Sequence, residues 1–462
     1  MMYRKAFFVG IVLASSLAIV HAGIAPALVA AVQAGELPRK PTFGAQLAPV
    51  PAELRQQAGL KEGEGLLLPQ ILPGQTAEAC GLKAGDVLIS IGGTTVTGNP
   101  TVLNYLRDNP SGAAVKFEIF RGGKRETVNG TLKERPRETS DQYDLVYSHV
   151  VSNGKRMRTV VSKPKTSGKF PAMLMIQGLG PSVMDVPLTS PGAYSRILHA
   201  YATDGWVTLR VDKPGVGDSE GGPYETVDFN TEMDIYRQSL KKLKELPYVD
   251  PDKIFIFGHS MGGAFGPIVA SETKIRGIAV AGTVCKTWTE YFLENTRRQE
   301  LLAGRTPSDV DGRLRLQAAA MSCLLDLKMK PEEVIAKYPN LAPSVNEVAP
   351  NGLMYGRPVD FWAQLAGYNF PEYWTKVDAH VLALWGDSEF ITTEEDHPLI
   401  AEVVNSARPG KGKYVKLEGS DHGFKKTTSM RDSFARWGQP GGEFNPNVVE
   451  ALKAWTKEVL AN

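Results

Sequence analysis

The spacing of apolar residues changes along the chain. In the N-terminal third, short apolar runs are separated by turn-forming glycines, at 66–68, 87–91 and 115–119. Such runs predict strands joined by tight turns, and we expect a small, mainly β domain over residues 43–136. Farther along, apolar runs alternate with segments of helical spacing, at 172–176, 206–211, 254–257, 278–281, 381–385 and 414–417. This alternation favours a mostly parallel sheet with helices on both faces, which we predict for residues 145–462.

Two segments have the three-and-four spacing of an amphipathic helix. They are Met233, Tyr236, Leu240 and Leu243, and then Val448, Leu452, Trp455 and Val459. Residues 286–377 are rich in helix formers and aromatic residues and have no strand signal, which predicts a helical insertion that acts as a lid. The alternative is that its aromatic residues only fill the insertion's own core. The charged segment 132–144 lacks apolar periodicity and is interpreted as a linker.

The N-terminus has the composition of a targeting segment. MMYRK precedes the apolar stretch AFFVGIVLASSLAIV, and HAG follows it, which is the order of a cationic region, an apolar core and a cleavage point. The apolar core is short for a membrane span. We predict a signal peptide over residues 1–22, with cleavage after Ala34 as a second candidate and an uncleaved membrane anchor as the alternative. Either outcome predicts an exported protein, periplasmic or secreted.

Charge bears on the binding partners we expect, and cysteine content bears on disulfide bonds. The formal net charge is +2, and residues 1–22 contribute Arg4 and Lys5 with no acid, so we expect neither nucleic acid nor an anionic surface as a partner. The 3 cysteines are too few for a disulfide framework; Cys285 and Cys323 are either a pair or buried thiols. The sequence contains no metal-binding motif and gives no indication of a cofactor.

The stretch PGQTAEACGLKAGDVLISIGGTTV, residues 73–96, combines a proline–glycine step, a small-residue helix, the pattern GL-x-x-GD and a glycine turn. It resembles a bacterial PDZ domain over about 90 residues. The resemblance implies a peptide, often a free C-terminus, bound at a sheet edge by backbone N–H groups. By position, the carboxylate loop is expected at Gly63, Gly65 and Leu66. A PDZ domain that serves only for packing or tethering is the alternative.

The stretch KIFIFGHSMGGAFG, residues 253–266, has a strand ending at Gly258 and a helix of small residues after Ser260. GHSMG therefore fits G-x-S-x-G in its strand–turn–helix context. The turn is so tight that side chains at Gly258 and Gly262 would collide, and the strained serine exposes its hydroxyl. We predict that Ser260 is a nucleophile.

A serine hydroxyl needs a base and an oxyanion hole. His422 follows the last strand signal in LEGSDHGF and is the predicted base, whereas His259 in the turn should point away from Ser260. The N–H of Met261 and the N–H of Leu179, in the glycine turn IQGLGP, are the predicted oxyanion donors. The segment LWGDSEFITTEED offers several acids to orient the histidine: Asp387, Glu389, Glu394, Glu395 and Asp396.

These residues resemble an α/β-hydrolase of the serine esterase and peptidase superfamily. RVDKPGVGDSEG resembles the D-x-x-G-x-G-x-S turn of that family, and IQGLG stands where a His-Gly motif is usual, with Gln177 in place of the histidine. The resemblance implies an acid three residues past Gly386, which is Glu389, with Asp387 as the rival. The later acids suit the start of a helix.

The leading functional prediction is an exported hydrolase of carboxylic esters that works through an acyl-enzyme, with a PDZ domain for a polypeptide ligand. A serine peptidase of aminopeptidase or dipeptidyl-peptidase type, which would recruit peptides through the PDZ domain, is the alternative. A second alternative is a non-catalytic PDZ binding protein with a degenerate hydrolase shell. The expected substrate is a small ester or a peptide, and a membrane contact is expected only through an uncleaved N-terminal anchor.

Overall fold

The computed structural model of the protein describes residues 35–439 and 441–461. The predicted signal peptide or anchor lies outside these residues. The chain divides into two compact units, Leu37–Glu138 and Thr139–Asn462. No helix in the described ranges combines the length and the apolar character that crossing a bilayer requires.

The first unit contains a five-stranded sheet in the order β1-β2-β4-β5, with β3 paired to β2. Its elements are α1 Ala52–Ala58, β1 Leu66–Leu67, α2 Thr76–Ala79, β2 Val87–Ile91, β3 Thr94–Thr95, α3 Asn99–Asp108, β4 Ala114–Arg121 and β5 Lys124–Thr131. The strand pairs are antiparallel. Alternate residues of β4, Val115, Phe117 and Ile119, are buried in one core, as the period of two along a strand requires.

The segment interpreted as a linker is shorter than its composition indicates. Leu132 is buried, and the N–H of Thr42 donates to the carbonyl of Lys133 at 3.0 Å. At the other end, Tyr143 begins a strand of the second unit. The charged residues of this segment hid these contacts, because backbone hydrogen bonds leave no apolar pattern in a sequence.

The second unit is built on an eight-stranded sheet in the order β15-β14-β11-β10-β8-β9-β7-β6. Its strands are β6 Tyr143–Ser152, β7 Lys155–Pro164, β8 Phe170–Ile176, β9 Val207–Val211, β10 Val249–His259, β11 Gly277–Ala281, β12 Leu353–Met354, β13 Arg357–Pro358, β14 His380–Gly386 and β15 Gly412–Leu417, of which β12 and β13 form a separate hairpin. Its helices are α4 Ala193–Thr203, α5 Phe229–Glu245, α6 Met261–Ser271, α7 Trp288–Leu302, α8 Pro307–Met321, α9 Pro331–Lys337, α10 Ala342–Val348, α11 Val359–Ala366, α12 Phe370–Lys376, α13 Asp396–Ala407, α14 Met430–Arg436 and α15 Asn447–Ala461.

Both faces of this sheet are covered. In β10, Ile254 and Ile256 face a core shared with α5 and α6, whereas Phe255 and Phe257 face a core shared with α4 and α15. A strand buried on both faces has a continuous apolar run, which is why the sequence revealed the strands from β8 to β14 in the sheet, whereas β15 at the edge is only partly buried. The predicted mostly parallel sheet flanked by helices is confirmed.

The sequence pattern missed the antiparallel hairpin of β6 and β7 at one edge of the sheet. Its strands are partly exposed and carry many charged and polar residues, so they have no continuous apolar run. The signal that could have found it is the turn, since Asn153 and Gly154 both have positive φ, 47° and 73°. An Asn-Gly pair between two strands is typical of a two-residue hairpin.

The insertion is helical, from α7 to α12, apart from the two-residue strands β12 and β13. Its aromatic residues pack in a core and also line a cavity, and a lid role of the insertion stays a prediction. Phe292, Trp362 and Trp374 are buried in the core that covers α5 and α6, and Trp288 and Tyr355 also line a cavity. Cys285 and Cys323 are both buried free thiols.

Candidate active site

Ser260 occupies the turn between β10 and α6 in a strained conformation, with φ 56° and ψ −120°. A Cβ atom on Gly258 would lie closer than 3.0 Å to the carbonyl of Gly262, and one on Gly262 would meet the carbonyl of Ile176. Such contacts are not found for real side chains, and backbone carbonyls cannot move aside. Glycine is therefore required at both positions, and the tight turn projects the serine side chain.

His422 and Glu389 form a buried pair. The Nδ1 atom of His422 lies 2.7 Å from Oε1 of Glu389, and the two side chains are 7% and 2% exposed. Glu389 also accepts hydrogen bonds from the N–H of Thr392, at 3.0 Å, and from its hydroxyl. Burial alone would raise the pKa of Glu389, but the charge and hydrogen bond of His422 and the bonds from Thr392 lower it to about 2. An ionised Glu389 can only accept, so Nδ1 of His422 donates and Nε2 remains available.

The other acids of this segment lie elsewhere. The hydroxyl of Ser388 donates to Asp387 at 3.0 Å, so the structure brings Glu389 rather than Asp387 to His422. Glu394 pairs with Lys416 at 2.5 Å. Asp396 begins α13 and accepts from the N–H of Cys285 at 2.8 Å.

The two predicted oxyanion donors belong to segments next to Ser260. Met261 is the first residue of α6, where backbone N–H groups have no partner within the helix. Leu179 follows β8, and a Cβ atom on the preceding Gly178 would lie 3.3 Å from Cβ of Ser260. Neither N–H is engaged by a hydrogen-bond acceptor in the part of the chain that the structure describes, and the oxyanion role of both stays a prediction.

One cavity of about 610 Å³ contains these groups. The sheet and its loops contribute Leu179, Ser260, Met261 and His422, and the insertion contributes Trp288, Tyr291, Asn295, Tyr355 and Trp362. The walls from the insertion are thus mainly aromatic. A cavity of this size suits a drug-sized organic molecule.

His259 connects the two sides of the cavity. Its Nδ1 lies 2.7 Å from the hydroxyl of Tyr194, which in turn accepts from the N–H of Gly178 at 3.1 Å. Its Nε2 lies 2.8 Å from the carbonyl oxygen of His422. Burial lowers the pKa of His259 to about 3, so this ring is neutral and acts as a structural brace. No motif in the sequence identified Tyr194 for this role.

The residues predicted for the PDZ carboxylate loop are engaged within their own domain. The N–H of Gly65 donates to the carbonyl of Val96 at 2.7 Å, and Leu66 pairs with Leu88 of β2. Gly63 takes a left-handed turn conformation with φ 82°. Gly65 and Leu66 are thus engaged within the sheet, and the carboxylate loop at Gly63, Gly65 and Leu66 stays a prediction.

An open edge lies on the segment before α1. The N–H of Gln46 donates to the carbonyl of Gln70 at 2.9 Å, and the N–H of Ala48 donates to that of Leu67 at 3.0 Å. Because alternate residues of a strand face opposite edges, the N–H groups of Ala45 and Leu47 point away from the sheet, and they have no acceptor among the described residues. The sequence signal that could have located this edge is the aromatic–glycine–apolar stretch FGAQL, but the prolines around it obscured the strand pattern.

Comparisons with known proteins agree with these two folds. The model of the alpha/beta hydrolase family matches residues 174–427, and the PDZ domain model matches residues 53–132. The esterase EstD of Thermotoga maritima is 22% identical over 239 residues, 52% of this chain and 51% of that protein. A probable periplasmic serine endoprotease, DegP-like, of Bartonella henselae is 31% identical over 111 residues, 24% of this chain and 22% of that protein.

The solved structures include Est1E from Butyrivibrio proteoclasticus, at 16% identity and a TM-score of 0.43, which covers 68% of this chain and 99% of its own. The chain spans about half the length of EstD and about a fifth of the DegP-like protein.

Proposed function

The chain belongs to the α/β-hydrolase family, and from this we propose that it is a serine hydrolase that cleaves carboxylic esters through an acyl-enzyme. One observation carries the proposal: the buried hydrogen bond between Glu389 and His422 adjoins the cavity that Ser260 and His422 line. A nucleophile, a base and an orienting acid are the groups that acyl transfer requires.

In the proposed mechanism, Nε2 of His422 takes the proton of the Ser260 hydroxyl as Ser260 attacks the ester carbonyl. Glu389 holds the imidazole in the correct tautomer and stabilises the imidazolium that forms. The N–H groups of Met261 and Leu179 bind the oxyanion. His422 then protonates the leaving alcohol, and water hydrolyses the acyl-enzyme by the same steps.

The cavity favours an ester with a bulky apolar or aromatic acyl group. Trp288, Tyr355 and Trp362 line it from the insertion, and aromatic walls bind apolar groups through the area they bury. A peptidase is the second candidate. The exposed carboxylate of Glu225 also lines the cavity and suits the amino terminus of a peptide, and the PDZ domain suits a polypeptide.

We further propose that the protein is exported, since its DegP-like relatives are named as periplasmic, and that the edge at Ala45 and Leu47 binds a polypeptide. Leu47→Pro removes one outward N–H, which an edge strand tolerates, and Leu47→Ala removes the same side chain but keeps the N–H. Full-length protein should lose capture of an immobilised library of peptides with free C-termini only in Leu47→Pro. Equal capture by both variants would argue against this edge.

The enzymatic proposal is tested with a fluorophosphonate probe and a substrate panel. Folded wild type should be labelled and Ser260→Ala should not. Aryl esters with bulky acyl groups should be cleaved faster than aminoacyl or dipeptidyl amides; the reverse order would favour the peptidase. A folded wild type that is not labelled would leave the non-catalytic PDZ binding protein as the better description.

A further inference from the structure

A buried lysine lies directly behind the loop that carries Leu179. Lys213 follows β9, and its side chain is 1% exposed. Its Nζ donates to the carbonyl oxygen of Gly178 at 2.5 Å and to that of Leu179 at 3.1 Å. A buried ammonium group is costly unless it is paired and hydrogen-bonded, so its position on these two carbonyls needs an explanation.

The partner charge comes from α5 and leads to the insertion. Nζ of Lys213 lies 2.9 Å from Oε1 of Glu232, which is fully buried. The other oxygen of Glu232 accepts from Nη2 of Arg357, a residue of β13. Lys213, Glu232 and Arg357 thus form a continuous chain of charges from the loop after β8 to the insertion.

Arg357 is itself tightly held. Its guanidinium packs against two rings, with its centre 4.0 Å from the centroid of Tyr224 and 4.3 Å from that of Phe361. Its Nη1 donates to the carbonyl of Tyr224 at 2.9 Å, and the hydroxyl of Tyr224 donates to the carbonyl of Leu179. The insertion therefore reaches the oxyanion loop by two routes, through Glu232 and through Tyr224.

Because of the geometry of the peptide unit, the contact between Lys213 and the carbonyl of Gly178 affects the direction of the Leu179 N–H. The carbonyl of Gly178 and the N–H of Leu179 belong to one planar trans peptide, so they point in opposite directions. When Lys213 holds that carbonyl from behind, it aims the Leu179 N–H toward the other side. A cation on the carbonyl oxygen also polarises the amide and strengthens its N–H as a donor.

We propose that Lys213 is a positioning residue that orients the Leu179 N–H for the oxyanion, and that Glu232 and Arg357 couple this orientation to the packing of the insertion. The inference rests on the proposed serine-hydrolase function. It adds a requirement that the Ser260, His422 and Glu389 arrangement does not contain: the insertion must be in place for the oxyanion hole to be complete.

The protonation of Lys213 gives the proposal a pH dependence. Burial lowers the pKa of Lys213 to about 8, the carboxylate of Glu232 opposes this shift, and the charge of Arg357 adds to it. The hydroxyl of Tyr224 and Nζ of Lys213 both donate to the carbonyl of Leu179. Loss of the proton above about pH 8 weakens the grip of Lys213 on both carbonyls, so kcat should fall there while KM stays constant.

The test compares two inhibitors on full-length protein. The hydroxyl of Ser260 adds to the carbonyl of an aryl trifluoromethyl ketone and forms an oxyanion, whereas the matching methyl ketone binds without this addition. Lys213→Met should weaken the trifluoromethyl ketone on the order of 10- to 100-fold, since a whole oxyanion donor contributes about 100- to 1,000-fold. The methyl ketone should bind as before. Lys242→Met is the matched control, because Lys242 lies on α5 and also donates to a backbone carbonyl, that of His149 at 2.9 Å.

The proposal is overturned if folded Lys213→Met keeps the ratio of the two affinities unchanged, whether both affinities stay as in wild type or both fall by the same factor. If Lys213→Met does not fold, the pH dependence of kcat and KM in wild type tests the proposal instead. A kcat that stays constant from pH 7 to about 10 contradicts the proposal. A fall in kcat near pH 8 without a change in KM supports it. Failure of the serine-hydrolase proposal is seen separately, because wild type would then not react with the fluorophosphonate probe at all.

Discussion

His422 Nδ1 lies 2.7 Å from Glu389 Oε1, deep enough that both side chains are almost excluded from solvent. The pair lies next to Gly282, where a Cβ atom would contact both Nδ1 of His422 and Oε2 of Glu389. The loop after β11 is therefore packed against the pair and keeps water from it. A hydrogen bond shielded in this way orients the imidazole more firmly than an exposed one would.

Glu389→Gln should retain the shape of this contact and lose its charge. We expect kcat on an aryl ester to fall by about 10,000-fold, as removal of the orienting charge does in serine proteases, with a smaller change in KM. Asp387→Asn is the matched control and should keep kcat within about threefold, since Asp387 bonds to Ser388 instead. An equal loss in the two variants would remove Glu389 from the proposed role.

The same pair predicts how stability depends on pH. The pKa of Glu389 is about 2 in the folded protein, against about 4.3 in an unfolded chain. The unfolded state therefore binds the proton first, and the stabilisation is present above about pH 5 and lost as the pH falls toward 2. The difference in the free energy of unfolding between wild type and Glu389→Gln, measured by urea denaturation, should shrink over this range. A difference that is constant from pH 7 to 3 would contradict it.

The strands that carry the site could be read from the sequence because they are buried on both faces, as β8 and β10 are. Ser260 and Glu389 follow buried strands of this kind, β10 and β14, whereas His422 follows the partly exposed edge strand β15. Local patterns and the family resemblance pointed to all three residues. The bracing groups could not be found in this way. Tyr194 and His259 lie 65 positions apart in the sequence, and no local pattern encodes a contact between them.

The open edge of the PDZ domain could not be found from the sequence for a related reason, and the carboxylate loop at Gly63, Gly65 and Leu66 stays a prediction. The sequence indicated a peptide-binding loop by analogy of position, but the hydrogen bond from Gly65 to Val96 depends on how the chain returns after β3. The edge at Ala45 and Leu47 is made by the pairing of Ala45 with Ile71 and of Ala48 with Leu67, which are distant in the sequence. Backbone pairing of this kind uses no particular side chain, so composition carries little information about it.

Tyr194→Phe tests the brace between the oxyanion loop and the base. The hydroxyl of Tyr194 accepts from the N–H of Gly178 and donates to His259, which holds the backbone of His422. Its removal should lower kcat by about tenfold with KM unchanged, roughly the cost of one to two kcal/mol for a buried group left without its partner. Tyr201→Phe, also on α4 and bonded at 3.2 Å to Thr456, should destabilise the fold comparably and leave kcat unchanged.

Because of the tight turn at Ser260, we expect substitution of Gly262 to lower stability more than substitution of a glycine in an open position. Gly262→Ala would place its Cβ against the carbonyls of Ile176 and Gln177, and neither can move without shifting β8 and the oxyanion loop. We expect the free energy of unfolding to fall by about 1–3 kcal/mol and labelling by a fluorophosphonate to be lost. Gly312→Ala is the control, since Gly312 lies within α8 with nothing near its Cβ position. That change should raise the free energy of unfolding by roughly 0.5–1 kcal/mol, and a Gly262→Ala protein as stable and as readily labelled as this control would rule out the steric argument.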